Sequence, residues 1–387
     1  MKTANKEKII LAIETSCDET AIAVLKYKDV ANFKILANVV SSQIKIHSKY
    51  GGVFPYLAKR EHQKNLVKVL KEALAQAKLL KKDKTEYKEK QIEKLLEREQ
   101  ELKNELIKFL NKYSFPKIDF ICVTSHPGLE PCLWVGVNFA NALSRITSAK
   151  IIPINHIRAH IYSSLIYKFK KVLVLYKNKK LFPAISLVVS GGHTELYYLS
   201  DFLKEKLIGK TRDDAAGECF DKTARLLGLP YPGGEKLSRL AKKFKGKSSI
   251  TFPRPMINSK NFNFSFSGLK TAVLYKVKEF KKINENLKKE LAKEIQQAII
   301  DCLVVKTIKA VKEFKAKSLF LGGGVSANYL LRNEIKKMIK KEKLDCNIFL
   351  PEKNLTGDNA LMIGFLGFLI LTRSKVKLKN KVSVPDF

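Results

Sequence analysis

The chain has 387 residues, 45% of them hydrophobic and 28% charged, which is enough for two domains with packed cores and too apolar for a disordered chain. Its 73 Lys and Arg against 37 Asp and Glu leave a formal charge of +36, which admits a polyanion such as nucleic acid as a partner, but only 10 of those cations are Arg, and an AT-rich genome writes the same Lys-heavy composition. The 6 cysteines form no CxxC pair or zinc-ribbon spacing, no segment reads as a signal peptide, and the longest apolar run, 360–371, is too short to span a bilayer, so a cytoplasmic protein with free thiols and no membrane role is expected.

Residues 9–24 (IILAIETSCDETAIAV) read as strand, tight turn, strand. A third strand follows at 34–42. Residues 47–60 (HSKYGGVFPYLAKR) form a Gly- and Pro-bearing loop leading into a helix over 58–77. The segment 78–112 is densely charged, with Ile92, Leu95, Leu96, Leu102, Leu106 and Leu110 near helical spacing. That stripe is too thin for a core, so the segment is expected to be a peripheral, solvated helical insertion. A buried strand at 118–125, the turn His126-Pro127-Gly128, a helix at 135–146, a short strand at 151–154 and a helix at 155–166 complete the first half. The Lys-rich stretch 168–180 reads as the boundary.

The second half opens near 182 and repeats the opening device at 184–199 (AISLVVSGGHTELYYL). Helices are expected at 215–227, 287–314, 328–342 and 360–372, with a strand at 318–321 running into Gly322-Gly323-Gly324. Turns of small residues let backbone N–H groups face an anion, and two such hairpins point to two similar halves facing one nucleotide. The fold class is therefore α/β with two related lobes and a nucleotide cleft between them. The first lobe covers 1–167 and carries the charged insertion. The second covers 182–372, with its last helix free to pack back on the first.

His156 and His160 lie one helical turn apart on one face, which suits two ligands of one transition metal. No Glu follows the first His as in HExxH, so a zinc peptidase is not indicated. Asp358, at the mouth of the last helix, completes a three-ligand set if the fold brings it close. Asp213, Asp214 and Glu218 open a helix and are explained by capping and the dipole, whereas Asp221 lies a turn further in and, with Gly233-Gly234, suits ribose hydroxyls. The alternation NFSFSGLK at 263–270 runs into another helix, and GGGVSAN at 322–328 is a strand, glycine loop and helix start. No Ser–His–Asp or Cys–His set is visible, so the catalytic residues are not assigned.

In order, IETSCDET, HSKYGGVFPYLAKREH, VTSHPGLEPCLWVG, NHIRAHI, LVVSGGHTEL, DDAAGECFDKTARLLGLPYPGG, FNFSFSGLKTA, GGGVSAN and TGDNALM resemble the bacterial form of the tRNA N6-adenosine threonylcarbamoyltransferase family, once called O-sialoglycoprotein endopeptidases. The resemblance runs over 9–364 and implies the fold of the actin-like, sugar-kinase and Hsp70 superfamily, with ribonuclease H-like lobes. It implies a metal, Fe(II) in preference to Zn(II), on His156, His160 and Asp358. It implies substrate contacts at Val188, Val189, Ser190, Gly191, Gly192, Asp221, Gly234 and Asn328. The implied reaction moves threonylcarbamoyl from its adenylate to N6 of the adenosine beside the anticodon, releasing AMP, with tRNA, a paralogous inactive subunit and a small ATPase as partners. A metallopeptidase and a non-catalytic ATP-binding scaffold of the same fold are the alternatives. The chain departs from the family at His126, where Gly is usual, in the length of 78–112, and in lacking the usual Arg-Trp-containing tail.

Overall fold

The computed structural model describes residues 6–373 and 381–384. The chain forms two compact units, Met1–Tyr162 with Asp358–Phe387, and Ser163–Gly357. In the first, β1 (Lys8–Glu14), β2 (Glu19–Tyr27), β3 (Phe33–Ser42), β4 (Phe120–His126) and β5 (Lys150–Asn155) form a sheet of order β3-β2-β1-β4-β5. The first three strands are antiparallel, in the register Ile13↔Ile22 and Ile22↔Val39. The last two add parallel to β1, with Leu11 beside Ile121 and Ile121 beside Ile151. Parallel neighbours need long crossovers. Here they are the helices α1 (Pro55–Gln76), α2 (Glu89–Leu95), α3 (Gln100–Leu110) and α4 (Glu130–Thr147).

The central strands are buried on both faces, as parallel strands under helices must be. Leu11, Ile13, Ile22 and Val24 meet Leu66 and Leu70 of α1 and Leu133 and Val137 of α4. The alternate residues face the helix Ala360–Arg373. A Cβ on its Gly367 would sit 2.1 Å from the Cys122 sulfur, and one on Gly364 would sit 2.5 Å from Leu25. With that close approach the chain returns to the first unit at Asp358, the packing back of the last helix that the sequence pattern left open for a second lobe drawn to 372.

The charged segment is not peripheral. Ile92, Leu96, Leu102, Leu106 and Leu110 are buried in the same core as Leu70 and Phe139. A two-residue ladder, Lys81–Lys82 with Tyr113–Ser114, closes the excursion at its base. The stripe on each helix is thin, but it extends an existing core over α1 and α4 and has no need to build one of its own.

In the second unit α6 (Phe169–Lys177) occupies the expected linker, with Phe169 and Val172 buried. The sheet comprises β6 (Ala184–Val189), β7 (Thr194–Asp201), β8 (Lys204–Lys210), β9 (Ser318–Gly322) and β10 (Asn347–Phe349). Its order is β8-β7-β6-β9-β10, with the same antiparallel and parallel pattern as the first sheet. The repeated hairpin therefore marks a repeated sheet. Around it lie α7 (Ala216–Leu226), α8 (Gly234–Lys242), α9 (Ser267–Lys278), α10 (Glu285–Glu313) and α11 (Tyr329–Lys341). The core joins Ile185, Leu187 and Leu319 to Ile295, Ile299 and Leu303 of α10. β8 carries mostly exposed, charged residues, as edge strands do, and this hides it from a hydrophobic pattern.

Candidate metal centre and nucleotide face

The first unit gathers its histidines where β5 ends and α5 (His156–Ser163) begins. The i, i+4 spacing puts the two rings 4.7 Å apart between centroids, edge to face. Asp358, immediately before the Ala360–Arg373 helix, places Oδ1 3.0 Å from His160 Nε2 and 3.5 Å from His156 Nε2. One ligand atom from each of the three lies within 4.8 Å of the others, so the sequence-predicted set is brought together and its chemistry fits a metal ion.

Behind this set stands a buried carboxylate that the sequence reading missed. Glu14, at the inner end of β1, lies 3.1 Å from His156 Nδ1 and also accepts from Ser16 N (2.6 Å) and Thr124 Oγ1 (2.6 Å). Ser16 Oγ lies 3.2 Å from the same Nδ1. With Nδ1 facing Glu14, His156 turns Nε2 toward Asp358, the arrangement by which a carboxylate orients a metal-binding imidazole. A visible signal existed: an acid closing a strand of apolar residues must find a partner.

The charges agree with a site built for a cation. Burial opposes a proton on His156, but the Asp358 and Glu14 carboxylates outweigh it and hold the ring up at about 9. Burial lowers His160 despite its Asp358 partner. Glu14 stays below the usual carboxylate range because its contact with His156 overcomes burial. His126, at the end of β4, is within 2.8 Å of Ser125 Oγ, and burial lowers it with help from the Arg158 charge.

The second unit carries its predicted residues on β6 and the turn after it, on α7, and at the starts of α8 and α11. Val188 and Val189 are buried in β6, so only their backbone can meet a ligand. The turn that follows is tied by Ser190 N to His193 O (2.8 Å) and His193 N to Ser190 Oγ (3.1 Å). A Cβ on Gly191 or Gly192 would meet nothing within 4 Å, so this turn is open to solvent. Helix α7 starts against it, where a Cβ on Gly217 would lie 2.4 Å from Ser190 O. One turn on, Asp221 Oδ1 accepts from Gly233 N (2.7 Å) and Gly234 N (2.9 Å), fixing the Gly-Gly turn, and burial raises its carboxyl. Gly323 has φ of +83°, and a Cβ there would lie 2.3 Å from Val189 O, so the glycine loop is pressed against β6.

Two residues are explained differently from their sequence reading. Asp213 does not cap α7. It accepts from Ser265 Oγ (2.5 Å), Phe266 N (2.7 Å) and Ser267 Oγ (2.7 Å) at the start of α9, while Asp214 pairs with Lys222 at 2.8 Å. This is what the NFSFSG alternation is for: its hydroxyls and amides cover one carboxylate. Asn328 Oδ1 caps α11 through Leu330 N (2.9 Å) and Leu331 N (3.2 Å), and its Nδ2 donates to Ser238 Oγ (3.0 Å) and Gln296 Oε1 (2.9 Å). Its side-chain hydrogen-bonding capacity is thus filled within the unit.

Twin five-stranded sheets of one order, with a His–His–Asp cluster beside the first, define an α/β protein of the actin-like class. The crystal structure of T. kodakarensis HypF shares the fold, with a TM-score of 0.55 at 15% identity, over 94% of this chain and 48% of that one. The family model for tRNA N6-adenosine threonylcarbamoyltransferase (TsaD) matches residues 34–86 and 94–365, leaving out part of the inserted α2. Proteins of that name from Thermosipho melanesiensis and Moorella thermoacetica are 42% and 36% identical, covering 93% and 100% of this chain and 94% and 98% of theirs. The chain belongs to the tRNA N6-adenosine threonylcarbamoyltransferase family. It is a transferase that acylates tRNA. Among the described residues no helix is long and apolar enough to cross a membrane.

Proposed function

We propose that the chain transfers threonylcarbamoyl from threonylcarbamoyl-adenylate to N6 of the adenosine next to the anticodon, releasing AMP, in the cytoplasm and together with a paralogous inactive subunit and a small ATPase. The observation that carries this reading is the His156, His160 and Asp358 cluster with Glu14 behind it, in a chain of this family. The adenylate is a mixed anhydride with AMP as its leaving group, so placement and charge stabilisation are what the protein must supply.

His156, His160 and Asp358 would hold the metal, Fe(II) in preference to Zn(II), since two imidazoles and one carboxylate with open positions suit ferrous iron. When bound, it supplies a Lewis acid for the phosphate or carbonyl oxygen. Glu14 fixes the His156 ring and balances charge. The open Gly191 and Gly192 amides receive a phosphate, with Val188, Val189 and Ser190 lending backbone groups. Asp221, its Oδ1 engaged by Gly233 and Gly234, offers Oδ2 to a ribose hydroxyl. Asn328 acts by holding its loop in place. A peptidase reading finds no support, because the Glu14 carboxylate is engaged by His156, Ser16 and Thr124.

The test is mass analysis of tRNA nucleosides after incubating the chain and its partners with tRNA and threonylcarbamoyl-adenylate. Threonylcarbamoyl-adenosine should form with the wild type and be lost with His160→Ala. A wild-type complex that releases AMP without modifying tRNA would overturn the proposal.

A further inference from the structure

The segment His47 to Arg60, a loop that runs into the first turns of α1, has no part in the sites above, and its surface is unusual. Tyr50, Phe54 and Tyr56 are 60%, 51% and 78% exposed. The Tyr50 and Phe54 rings stand 5.2 Å apart, edge to face. Around them, residues 44–60 contain Lys45, Lys49, Lys59 and Arg60 and no acid. Single exposed aromatics are ordinary; three within seven residues beside Lys45, Lys49 and Arg60 are not, while Lys59 is set apart by its pairing with the buried Glu99 at 4.0 Å.

The segment is fastened to the turn after β1, whose Ser16 contacts His156. Gln43 N donates to Asp18 O at 2.9 Å. His62 Nε2 donates to Cys17 O at 2.9 Å, and His62 Nδ1 accepts from Thr20 Oγ1 at 2.8 Å. Burial keeps His62 neutral, at about 4, which fits that tautomer. Gln43 Nε2 reaches His62 Nδ1 at 3.4 Å, Gln43 Oε1 accepts from His47 Nε2 at 3.0 Å, and His47 Nδ1 lies 3.4 Å from Phe54 N. Cys17 and Asp18 adjoin Ser16, which contacts His156. A buried chain of side chains therefore runs from the turn after β1 to the base of the aromatic loop.

We infer that Tyr50, Phe54 and Tyr56 form the stacking platform for unpaired bases of the tRNA anticodon loop, with Lys45, Lys49 and Arg60 on its phosphates. Unpaired bases are recognised by stacking on aromatic rings beside cations, and acylation of a loop adenosine requires the neighbouring bases to be held near the reacting centre. The rigid attachment to residues 16–20 sets that distance. The inference depends on the transferase reading for its ligand.

The test is direct binding of an anticodon stem-loop RNA, with 2-aminopurine in the loop, to the full chain alone and with its partner subunits. Tyr50→Ala, Phe54→Ala and Tyr56→Ala should each weaken binding about fivefold or more and relieve 2-aminopurine quenching. Tyr50→Phe and Tyr56→Phe should bind as the wild type. Lys45→Gln with Lys49→Gln should make the salt dependence shallower by roughly 0.7 per lysine. These side chains are exposed, so melting temperatures should be unchanged. Unaltered RNA affinity in the alanine variants would overturn the inference, as would loss of a partner subunit from the complex with RNA binding intact, which would make the platform a protein interface. Failure of the wild type to acylate tRNA counts against the transferase reading alone, because binding is measured independently of transfer.

Discussion

Glu14 decides how tightly the metal-site residues are held. Glu14→Gln keeps the shape but removes the charge facing His156 Nδ1, and metal affinity should fall by about 10- to 100-fold, measured by competition with a chelator. His156 also sets a pH dependence. In metal-stripped protein its raised pKa of about 9, against about 6.5 unfolded, contributes stability that is fully present below about pH 6.5 and lost as pH rises through about 9. A metal must displace that proton. Binding at pH 7 should therefore release about one proton, and apparent affinity should climb about tenfold per pH unit until it levels near pH 9. Calorimetry in buffers of different ionisation enthalpy reads the proton directly. In the second unit, Asp221→Ala should weaken AMP binding and also loosen the 233–234 turn, whereas Asp221→Asn keeps one acceptor for the two amides. Unchanged AMP affinity in both variants would remove Asp221 from the nucleotide face.

At the scale of elements, the inserted helices α2 and α3 behave as core. Leu106→Ala should cost about 2–5 kcal/mol in denaturant unfolding, because the leucine is fully buried beside α1 and α4. A cost near zero would restore the peripheral reading. The sequence shows a stripe but not what the stripe meets, and this is why the insertion was misjudged. The two hairpins were legible because apolar alternation around small-residue turns is a local signal. The histidine pair was legible from the 3.6-residue period. Glu14, 142 residues from His156, was not, since no spacing rule links them. Asp213 and Asn328 show the same limit: Asp213 has a capping residue's type but covers the groups at 265–267, and the cap that Asn328 makes on α11 was not read from the sequence. Gly323→Ala tests the packing of the second glycine loop. A Cβ at positive φ and 2.3 Å from Val189 O should destabilise the unit and weaken nucleotide binding together.

Across the whole molecule the charge of +36 is tested by the salt dependence of RNA binding. If lysines contact RNA phosphates, log affinity for tRNA should fall steeply and linearly with log salt, and neutralising lysines outside the contacting face should leave the slope unchanged. A flat salt response would return the charge to composition. The duplicated sheets put one device to two uses. Beside β1 the turn is filled by its own unit, where a Cβ on Gly136 would lie 2.3 Å from Thr15 Oγ1. Beside β6 the corresponding turn stands open at Gly191 and Gly192. One copy is packed within its unit and braces His156 through Ser16, and the other is exposed at its glycines.

Asp358 lies 198 residues beyond His160, yet shares its site. During synthesis the two histidines emerge from the ribosome long before the aspartate. A nascent chain ending anywhere before residue 358 offers two imidazoles and no third ligand, and it also lacks the Ala360–Arg373 helix that covers the first sheet. The third candidate ligand is therefore made only after the whole of the second unit, Ser163–Gly357. Proteolytic clipping near 357 should therefore separate Asp358 from both histidines while leaving the second unit's chain whole.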